Sequence, residues 1–253
     1  MELLCLFAFV AGLVDAVVGG GGLIQLPALL LFLPANLAQS LPTVFGTNKL
    51  SSICGTSTAA IQYSRRIRIR WNTILPAGIS ALVFSFLGAR AVTALDPTIL
   101  KPLVLVLLIA VAVYTFWQKD LGKLHAPRFP LDRERWLGIA VGGAIGFYDG
   151  FFGPGTGSFL IFAFVGLFGF DFLAASASAK FINWCTNLAA VAYFASTDQI
   201  LYRYALPMGV CNVLGALVGT RLAILRGNKF VRGFFLVIVT ALILRYAWEL
   251  ATE

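Results

Sequence analysis

Two lysines in apolar parts of the chain each share a helix face with two hydrogen-bonding side chains. Lys49, Ser52 and Thr56 have the i, i+3, i+7 spacing that places them on one side of a helix. The same spacing recurs at Lys180, Asn183 and Asn187. A cation beside polar groups can bind an anion, and an ionisable residue in a membrane segment is a candidate functional residue. The alternative is that each lysine, being close to a predicted helix end, extends to lipid headgroups.

Each lysine is preceded by a glycine-rich stretch, Gly19–Gly22 in the first case and Gly153–Gly157 in the second. Glycine adopts left-handed and closely packed conformations, so successive amides of such a stretch can converge on one point. The helix that follows begins there and directs its positive end at the same point. We therefore predict an anion site made of backbone, with contributions from Gly20, Gly21, Gly22, Gly155, Thr156 and Gly157. The alternative is that the small residues only allow close helix packing.

An aspartate stands one helical turn before each glycine stretch, at Asp15 and at Asp149. Apolar surroundings favour the protonated form of a carboxylate, which suits a carrier that couples anion movement to protons. The same aspartates would equally suit a structural role, as partners of a lysine or of turn amides. Both interpretations stay open at the level of sequence. Three further polar residues are expected to add hydrogen bonds to the same cavity, namely Gln25, Asn48 and Ser178.

These features occur twice because the chain contains an internal duplication. After the glycine stretches, the two halves match at a fixed offset of 131 residues. The matches are Lys49 with Lys180, Cys54 with Cys185, Pro76 with Pro207, Gly78 with Gly209, Gly88 with Gly219, Arg90 with Arg221, and Lys101 with Arg232. A duplicated apolar chain with polar residues at matched positions beside broken helices is typical of secondary transporters.

The composition indicates a membrane protein. Hydrophobic residues make up 59% of the chain and charged residues 12%, and the mean hydropathy is +0.88. An ordinary soluble domain carries about 25% charged residues. Apolar stretches near 73–94, 99–117, 137–147 with its continuation, and 230–247 are long enough for helices that cross the hydrocarbon core, which needs about 20 residues. These segments must be helical, because hydrocarbon offers the backbone no other hydrogen-bond partners.

The net charge of +8 does not indicate a nucleic-acid partner, because the basic residues lie in three short loops. The loops contain Arg65, Arg66, Arg68 and Arg70; Lys119, Lys123, Arg128, Arg133 and Arg135; and Arg226, Lys229 and Arg232. Short basic loops mark the cytoplasmic face of a membrane protein. All three share one face only if each glycine stretch turns the chain back into a helical hairpin. Each half then crosses the membrane an odd number of times, the second half is inverted, and both termini are extracytoplasmic.

The predicted fold is all-α, a polytopic membrane helix bundle of two inverted-topology repeats, each opening with a glycine-broken helical hairpin. Residues 1–118 form the first repeat, 119–135 a cytoplasmic linker and 136–253 the second repeat, and together they make one transport domain. The hairpins are predicted at 3–33 and 137–168. A polar helix, a helix with an early proline and a strongly apolar helix follow at 45–63, 73–94 and 99–118 in the first repeat, and at 174–194, 203–224 and 230–250 in the second.

The sequence gives no support for enzymatic or metal-dependent chemistry. The four cysteines lie in apolar segments without metal-ligand spacing and are expected to be small buried side chains. His125 is the single histidine of the chain, which excludes a histidine-ligated metal centre. No HExxH, GxSxG or P-loop pattern occurs. We therefore expect neither a cofactor nor enzymatic activity.

Several of these motifs resemble a known family. The segment VAGLVDAVVGGGGLIQLP at 10–27, the motif GTNK at 46–49, and in the second copy GFYDGFFGPGTG at 146–157 with SAK at 178–180 look like the sulfite exporter TauE/SafE family of membrane anion permeases. The resemblance covers essentially the whole chain. It implies a multi-pass transporter of the bacterial inner membrane that exports small sulfur-containing anions, such as sulfite, thiosulfate or organosulfonates, with proton-motive force.

An anion-selective channel or a non-transporting membrane scaffold is the alternative function. The predicted buried aspartates favour a coupled carrier, because a passive channel has little use for a titrating carboxylate. The two copies also differ, since Gly20 corresponds to Pro154 and Asn48 to Ala179. The two copies therefore need not contribute equally to the anion site. The expected partners are a small sulfur anion and the lipid bilayer.

Overall fold

The computed structural model describes residues 1–34, 37, 40–91 and 126–252, and over these ranges the chain is helical without any strand. The helices are α1 Glu2–Val18, α2 Gly22–Phe32, α3 Leu41–Arg66, α4 Trp71–Ala91, α5 Leu131–Phe151, α6 Thr156–Gly166, α7 Phe172–Ser196 and α8 Tyr202–Thr252. The predicted all-α class is confirmed. The predicted helix at 99–118 and most of the predicted linker, with His125, lie outside the described residues.

Both predicted hairpins are present, and glycine forms the turn of each. Gly19 follows α1 with a φ of 77°, and its amide donates to the Asp15 carbonyl at 2.8 Å. Gly153 and Gly155 separate α5 from α6 with φ values of 90° and 85°. An L side chain rarely adopts these backbone conformations, so the turns require glycine. The helix α5 begins at Leu131, and 131–135 therefore belong to a helix rather than to the predicted linker.

The helix α8 contains two predicted helices in one run. Its helical geometry is interrupted at Gly227, with φ 68° and ψ −166°. This residue lies between the predicted proline-containing helix at 203–224 and the predicted apolar helix at 230–250. The interruption therefore stands where the sequence predicted a short basic loop.

The two sequence repeats are intertwined. Helix α1 packs along α8 and α5 packs along α4, so the first helix of each hairpin contacts the proline-containing helix of the other repeat. Glycines at every fourth position of α5 bring its backbone against α4, namely Gly138, Gly142, Gly146 and Gly150. The corresponding close contacts between α1 and α8 involve Gly12, Gly215 and Gly219. Small residues allow such close approach in membrane helix pairs.

The two polar helices, α3 and α7, cross each other in opposite directions. Gly46 near the start of α3 contacts Phe194 near the end of α7. In the middle, the Asn187 amide lies 3.4 Å from the Thr56 hydroxyl. Beyond the end of α3, the ring of Trp71 packs on Phe181 near the start of α7, with centroids 5.0 Å apart. Since α3 and α7 are equivalent in the duplication, this antiparallel crossing supports the interpretation of an inverted repeat.

The three basic loops meet at one end of the helix bundle. Arg70 Nε of the first loop lies 3.3 Å from Glu134 Oε1, in the first turn after the second loop. The Arg128 amide of the second loop donates to the Phe168 carbonyl in the turn before α7. The amide of Leu173, at the start of α7, donates to Asn228 Oδ1 of the third loop at 2.8 Å. This common end is the arrangement on which the predicted cytoplasmic face depends.

The outer faces of the bundle are apolar. Leu75, Ile79 and Val83 on α4 are exposed, as are Leu206 and Val210 on α8. Two described segments, Trp71–Ala91 and Tyr202–Ile238, are long and apolar enough to cross a membrane by length and composition. Helices α2 and α6 are apolar but shorter. Contiguous apolar surface of this kind is typical of contact with lipid.

Candidate functional site

Lys49 of α3 forms a buried ion pair with Asp149, near the end of α5. The Nζ to Oδ2 distance is 2.6 Å, and the two side chains are 6% and 2% exposed. A Cβ built at Gly153 would lie only 3.1 Å from this Nζ, so the glycine turn leaves room for the lysine head group. The lysine of the first repeat is therefore neutralised by the aspartate and adjoins the turn of the second repeat.

Lys180 of α7 forms the reciprocal ion pair with Asp15 of α1. The Nζ to Oδ2 distance is 2.9 Å, and the side chain of Lys180 is fully buried. Each lysine thus binds the carboxylate of the other repeat, and neither extends to lipid headgroups as the alternative required. The aspartates have the lysine-partner role that the sequence left open, while their predicted role in proton coupling stays a prediction.

The two ion pairs lie on opposite sides of the contact between Thr56 and Asn187. Along its own helix each lysine is seven residues from that contact, which is about 10 Å at 1.5 Å per residue. Because α3 and α7 are antiparallel, the two offsets point in opposite directions. We call each lysine–aspartate pair, together with its adjacent glycine turn, a half-site. The Lys49 half-site therefore lies toward one end of the bundle and the Lys180 half-site toward the other.

The tips of the two hairpins contact each other. A Cβ at Gly19 would overlap the backbone of Gly157, so glycine permits this contact. The Ser158 hydroxyl donates to the Val18 carbonyl at 2.8 Å, and the Ser176 hydroxyl to the Val17 carbonyl at 3.2 Å. Non-helical backbone is thus buried in the middle of the protein, as is required of irregular backbone at membrane depth.

Several tip amides have no acceptor among the described residues, namely those of Gly20, Gly21, Gly22, Gly155 and Gly157. The Thr156 amide and hydroxyl instead both donate to the Gly153 carbonyl, so this residue closes its own turn. At Gly21 a Cβ would lie 2.7 Å from the Asp15 Cβ, so this glycine also has a packing role. At Gly22 a Cβ would meet Pro154 at an ordinary 3.6 Å.

The predicted residues Gln25 and Asn48 belong to a polar cluster that joins α2, α3 and α8. Gln25 Nε2 lies 3.5 Å from the Asn48 carbonyl, and Gln25 Oε1 accepts from Asn212 Nδ2 at 2.8 Å. Asn48 Oδ1 and Ser51 Oγ are buried without a hydrogen-bond partner in the described structure. Sequence reasoning missed Asn212, because its equivalent in the first repeat is Ala81 and the duplication gave no signal.

The remaining predicted residues lie on the two polar helices. The Thr56 hydroxyl donates to the Ser52 carbonyl at 2.8 Å, and Asn183 accepts from Thr186 through its carbonyl at 2.9 Å. Ser178 is buried two residues before Lys180. The structure therefore brings Thr56 and Asn187 together at the centre, whereas the hydrogen bonds of Ser52 and Asn183 in the described residues stay within their own helices.

Two further buried polar groups escaped the sequence analysis. The Tyr63 hydroxyl donates to the Ala16 carbonyl at 3.0 Å, which ties α3 to α1 one residue after Asp15. Glu134 is fully buried and accepts from Thr73 at 2.6 Å. In sequence, Glu134 looked like part of a charged linker. Across the described residues, no group of three metal-ligating side chains occurs.

Comparison with known proteins assigns the chain to a family. The sequence model of the sulfite exporter TauE/SafE family matches residues 4–246. A probable membrane transporter protein, ORF9, of Sinorhizobium sp is 35% identical over 242 residues, which covers 94% of this chain and 88% of the relative. A probable membrane transporter protein of Haemophilus influenzae is 34% identical over 238 residues, covering 92% and 88%.

The probable membrane transporter protein YfcA of Escherichia coli K12 is 33% identical over 238 residues, covering 91% of this chain and 83% of the relative. No solved structure gives a significant match. The apolar outer faces, the duplicated glycine hairpins and the matched lysines agree with these relatives, whose names describe membrane transporters and not enzymes. The chain belongs to the sulfite exporter TauE/SafE family of membrane transporters.

Proposed function

We propose that this protein is a secondary transporter that exports small sulfur-containing oxyanions, such as sulfite, thiosulfate or organosulfonates, across the bacterial inner membrane. The observation that carries the proposal is the reciprocal pair of buried ion pairs, Lys49 with Asp149 and Lys180 with Asp15. Each pair lies beside a glycine turn in which several amides have no acceptor among the described residues. A lysine and convergent amides are the groups that bind a small oxyanion.

Protonation of the aspartate is the step that makes the lysine available. While the carboxylate is charged, it forms an ion pair with the ammonium group, as Asp149 does with Lys49 at 2.6 Å, and the lysine is not free to bind an anion. A proton on the aspartate cancels its negative charge and leaves a buried lysine without a counter-ion. Such an uncompensated charge is costly, so an arriving anion replaces the carboxylate as partner. The anion and the proton then occupy the half-site together and move in the same direction.

The membrane potential gives this movement an outward direction. A divalent anion that travels with one proton carries one net negative charge. A potential that is negative inside favours its exit by about 2.3 kcal/mol per 100 mV. Export of a divalent sulfur oxyanion therefore remains favourable even when a proton leaves with it against a modest pH gradient.

Purified protein in proteoliposomes tests the proposal. Labelled sulfite, thiosulfate, sulfoacetate and taurine are offered separately, with and without a pH gradient, and with protein-free vesicles as the control. We expect saturable flux of at least one sulfur oxyanion and its accumulation on the alkaline side. Rapid flux that dissipates any gradient without accumulation would identify a channel. No flux of any of these anions would support the scaffold alternative.

A further inference from the structure

The described helices can be grouped by their packing into two units that differ from the sequence repeats. Unit A consists of α1, α2, α3 and α8 up to residue 226, and unit B consists of α4, α5, α6 and α7. Within unit A, α8 packs on α1 and α3, and within unit B, α4 packs on α5 and α7. Each unit thus contains three elements of one repeat and the proline-containing helix of the other.

Hydrogen bonds and close glycine contacts hold each unit together internally. Unit A contains the hydrogen bonds of Asn212 with Gln25, of Tyr63 with the Ala16 carbonyl, and of the Leu201 amide just before α8 with Thr47 Oγ1. Unit B contains the bonds of Thr73 with Glu134, of Ser80 with the Ile139 carbonyl, and of Ser85 with the Thr186 carbonyl. The glycine contacts of α5 with α4 and of α1 with α8 are also internal. Close-packed interiors have low compressibility and transmit strain, so a unit of this kind can act as one block.

The candidate functional residues lie between the units. Both ion pairs cross this boundary, as do the Thr56 contact with Asn187 and the Ser158 and Ser176 bonds to the tip of α1. We propose that units A and B are the two bodies that move during transport, and that the substrate passes along their interface. This inference rests on the proposed function, because it identifies the path and the moving parts of that transporter.

The positions of the ion pairs make them two alternating gates. The pairs stand on opposite sides of the central contact of Thr56 with Asn187, so a small rotation about that contact opens one and closes the other. Rotation about a central pivot is a common form of alternating access in inverted-repeat transporters. The gate at Lys49 is reinforced by Phe45, which stands one turn before the lysine. The ring of Phe45 packs on the ring of Phe152, with centroids 6.3 Å apart.

The other gate has smaller side chains. In the duplication Phe45 corresponds to Ser176 and Phe152 to Val18. Ser176 stands one turn before Lys180 and donates to the Val17 carbonyl. The two gates are therefore equivalent in position but differ in bulk, with an aromatic seal on the Lys49 side.

Cross-linking tests the gates against a native control within one unit. The gate variants are Phe45→Cys with Phe152→Cys, and Val18→Cys with Ser176→Cys, made without the native cysteines and closed by a short bifunctional thiol reagent that dithiothreitol cleaves. The control is the native pair Cys5 and Cys211 inside unit A. Gly215 of α8 lies against Phe9 of α1 and Gly219 lies against Leu13, and this register places Cys211 opposite Cys5. Oxidation by diamide, a disulfide-forming reagent that accepts the two hydrogens of the thiols, joins them.

Closing either gate should abolish transport, and dithiothreitol should restore it. The disulfide of Cys5 with Cys211 should leave the transport rate unchanged, because both residues belong to unit A. Retained transport with a closed gate, or loss of transport on joining Cys5 to Cys211, would overturn the inference.

Distances between spin labels test the moving bodies without any substrate. Val83 and Trp136 are exposed, belong to different repeats and share unit B, whereas Leu31 and Val83 share the first repeat and lie in different units. In proteoliposomes taken from neutral to acidic pH, we expect the distance between labels at Val83 and Trp136 to stay constant. The distance between labels at Leu31 and Val83 should change or split into two populations. A changing Val83–Trp136 distance with a constant Leu31–Val83 distance would show that the repeats are the moving bodies. This readout holds even if no tested sulfur anion is transported.

Discussion

At the scale of single residues, each half-site balances a buried lysine against a carboxylate from the other repeat. Removing two charges from water is expensive, and the pair is tolerated because its partners neutralise each other at 2.6 and 2.9 Å. Deleting one partner leaves the other charge uncompensated, whereas deleting both does not. The stability of single and double variants therefore reports which residues are paired.

We expect Lys49→Gln and Asp149→Asn each to destabilise the protein by about 3–5 kcal/mol, because each leaves one buried charge alone. The double variant K49Q/D149N should recover most of that loss. Thermal unfolding of purified protein in detergent measures the effect. The matched control is K49Q/D15N, which deletes one charge from each pair and should be no more stable than the worse single variant. Equal recovery in both double variants would contradict the pairing.

The sequence predicted the identity of these residues better than their contacts. The duplication identified both lysines, both aspartates and the glycine turns, because each occurs twice at equivalent places. It could not predict that Lys49 binds Asp149 rather than Asp15, since equivalence within repeats carries no information on contact between them. Asn212 escaped for a related reason, because it has no polar counterpart in the first repeat.

At the scale of elements, α5 depends on glycine for its contact with α4. A Cβ at Gly150 would overlap the Ser85 carbonyl, and one at Gly142 would overlap the Ala77 carbonyl. The end of α5 carries Asp149, so this contact also sets the position of a half-site. In contrast, a Cβ at Gly166 on α6 would meet Phe162 at an ordinary 3.6 Å.

We expect Gly150→Ala to lower the yield of folded protein and its thermal stability, because the helices must separate to admit the methyl group. Overpacking of a close contact costs about 1–3 kcal/mol. Gly166→Ala is the control and should be nearly silent, or slightly favourable through helix propensity. Size-exclusion profiles and unfolding temperatures in detergent provide the comparison. Equal behaviour of the two variants would refute the packing role assigned to Gly150.

The sequence predicted the element order well and one boundary poorly. Both hairpins and both polar helices lie within a few residues of their predicted positions. The start of α5 was predicted too late, because Asp132 and Glu134 resemble a solvated linker. Acidic residues are favourable in the first turn of a helix, and Glu134 is buried against Thr73 and Arg70. A contact of that range is not readable from the local sequence.

At the scale of the whole molecule, the basic loops at one end of the bundle predict the orientation of the protein. Reporter fusions at Arg66, Arg128 and Gly227 should all be cytoplasmic, and reporters at either terminus extracytoplasmic, because short basic loops are retained inside. Cysteine accessibility from the two sides of the membrane is an independent check. Opposite sidedness of Arg66 and Gly227 would contradict the inverted-repeat arrangement.

The exchange of helices between repeats is a property of the whole molecule that local patterns do not reveal. Periodicity and turn chemistry identify helices, but they do not predict that α1 contacts α8, from which it is separated by most of the sequence. This exchange places the lysine of each repeat beside the aspartate of the other. The proposed coupling of anion binding to protonation would therefore depend on the assembled bundle rather than on either repeat alone.

The most direct test of the account is transport by the double variant Asp15→Asn, Asp149→Asn in proteoliposomes, with wild-type protein as the control. Asparagine imitates the protonated carboxylate, so both lysines stay available to the anion. Because each Asn leaves a buried lysine unpaired and lowers stability, the comparison uses the folded fraction isolated by size-exclusion chromatography. We predict that this fraction still exchanges labelled sulfur oxyanion at equal pH, while accumulation driven by a pH gradient is lost. Full accumulation driven by the pH gradient in the double variant would contradict the account and leave the aspartates with a structural role.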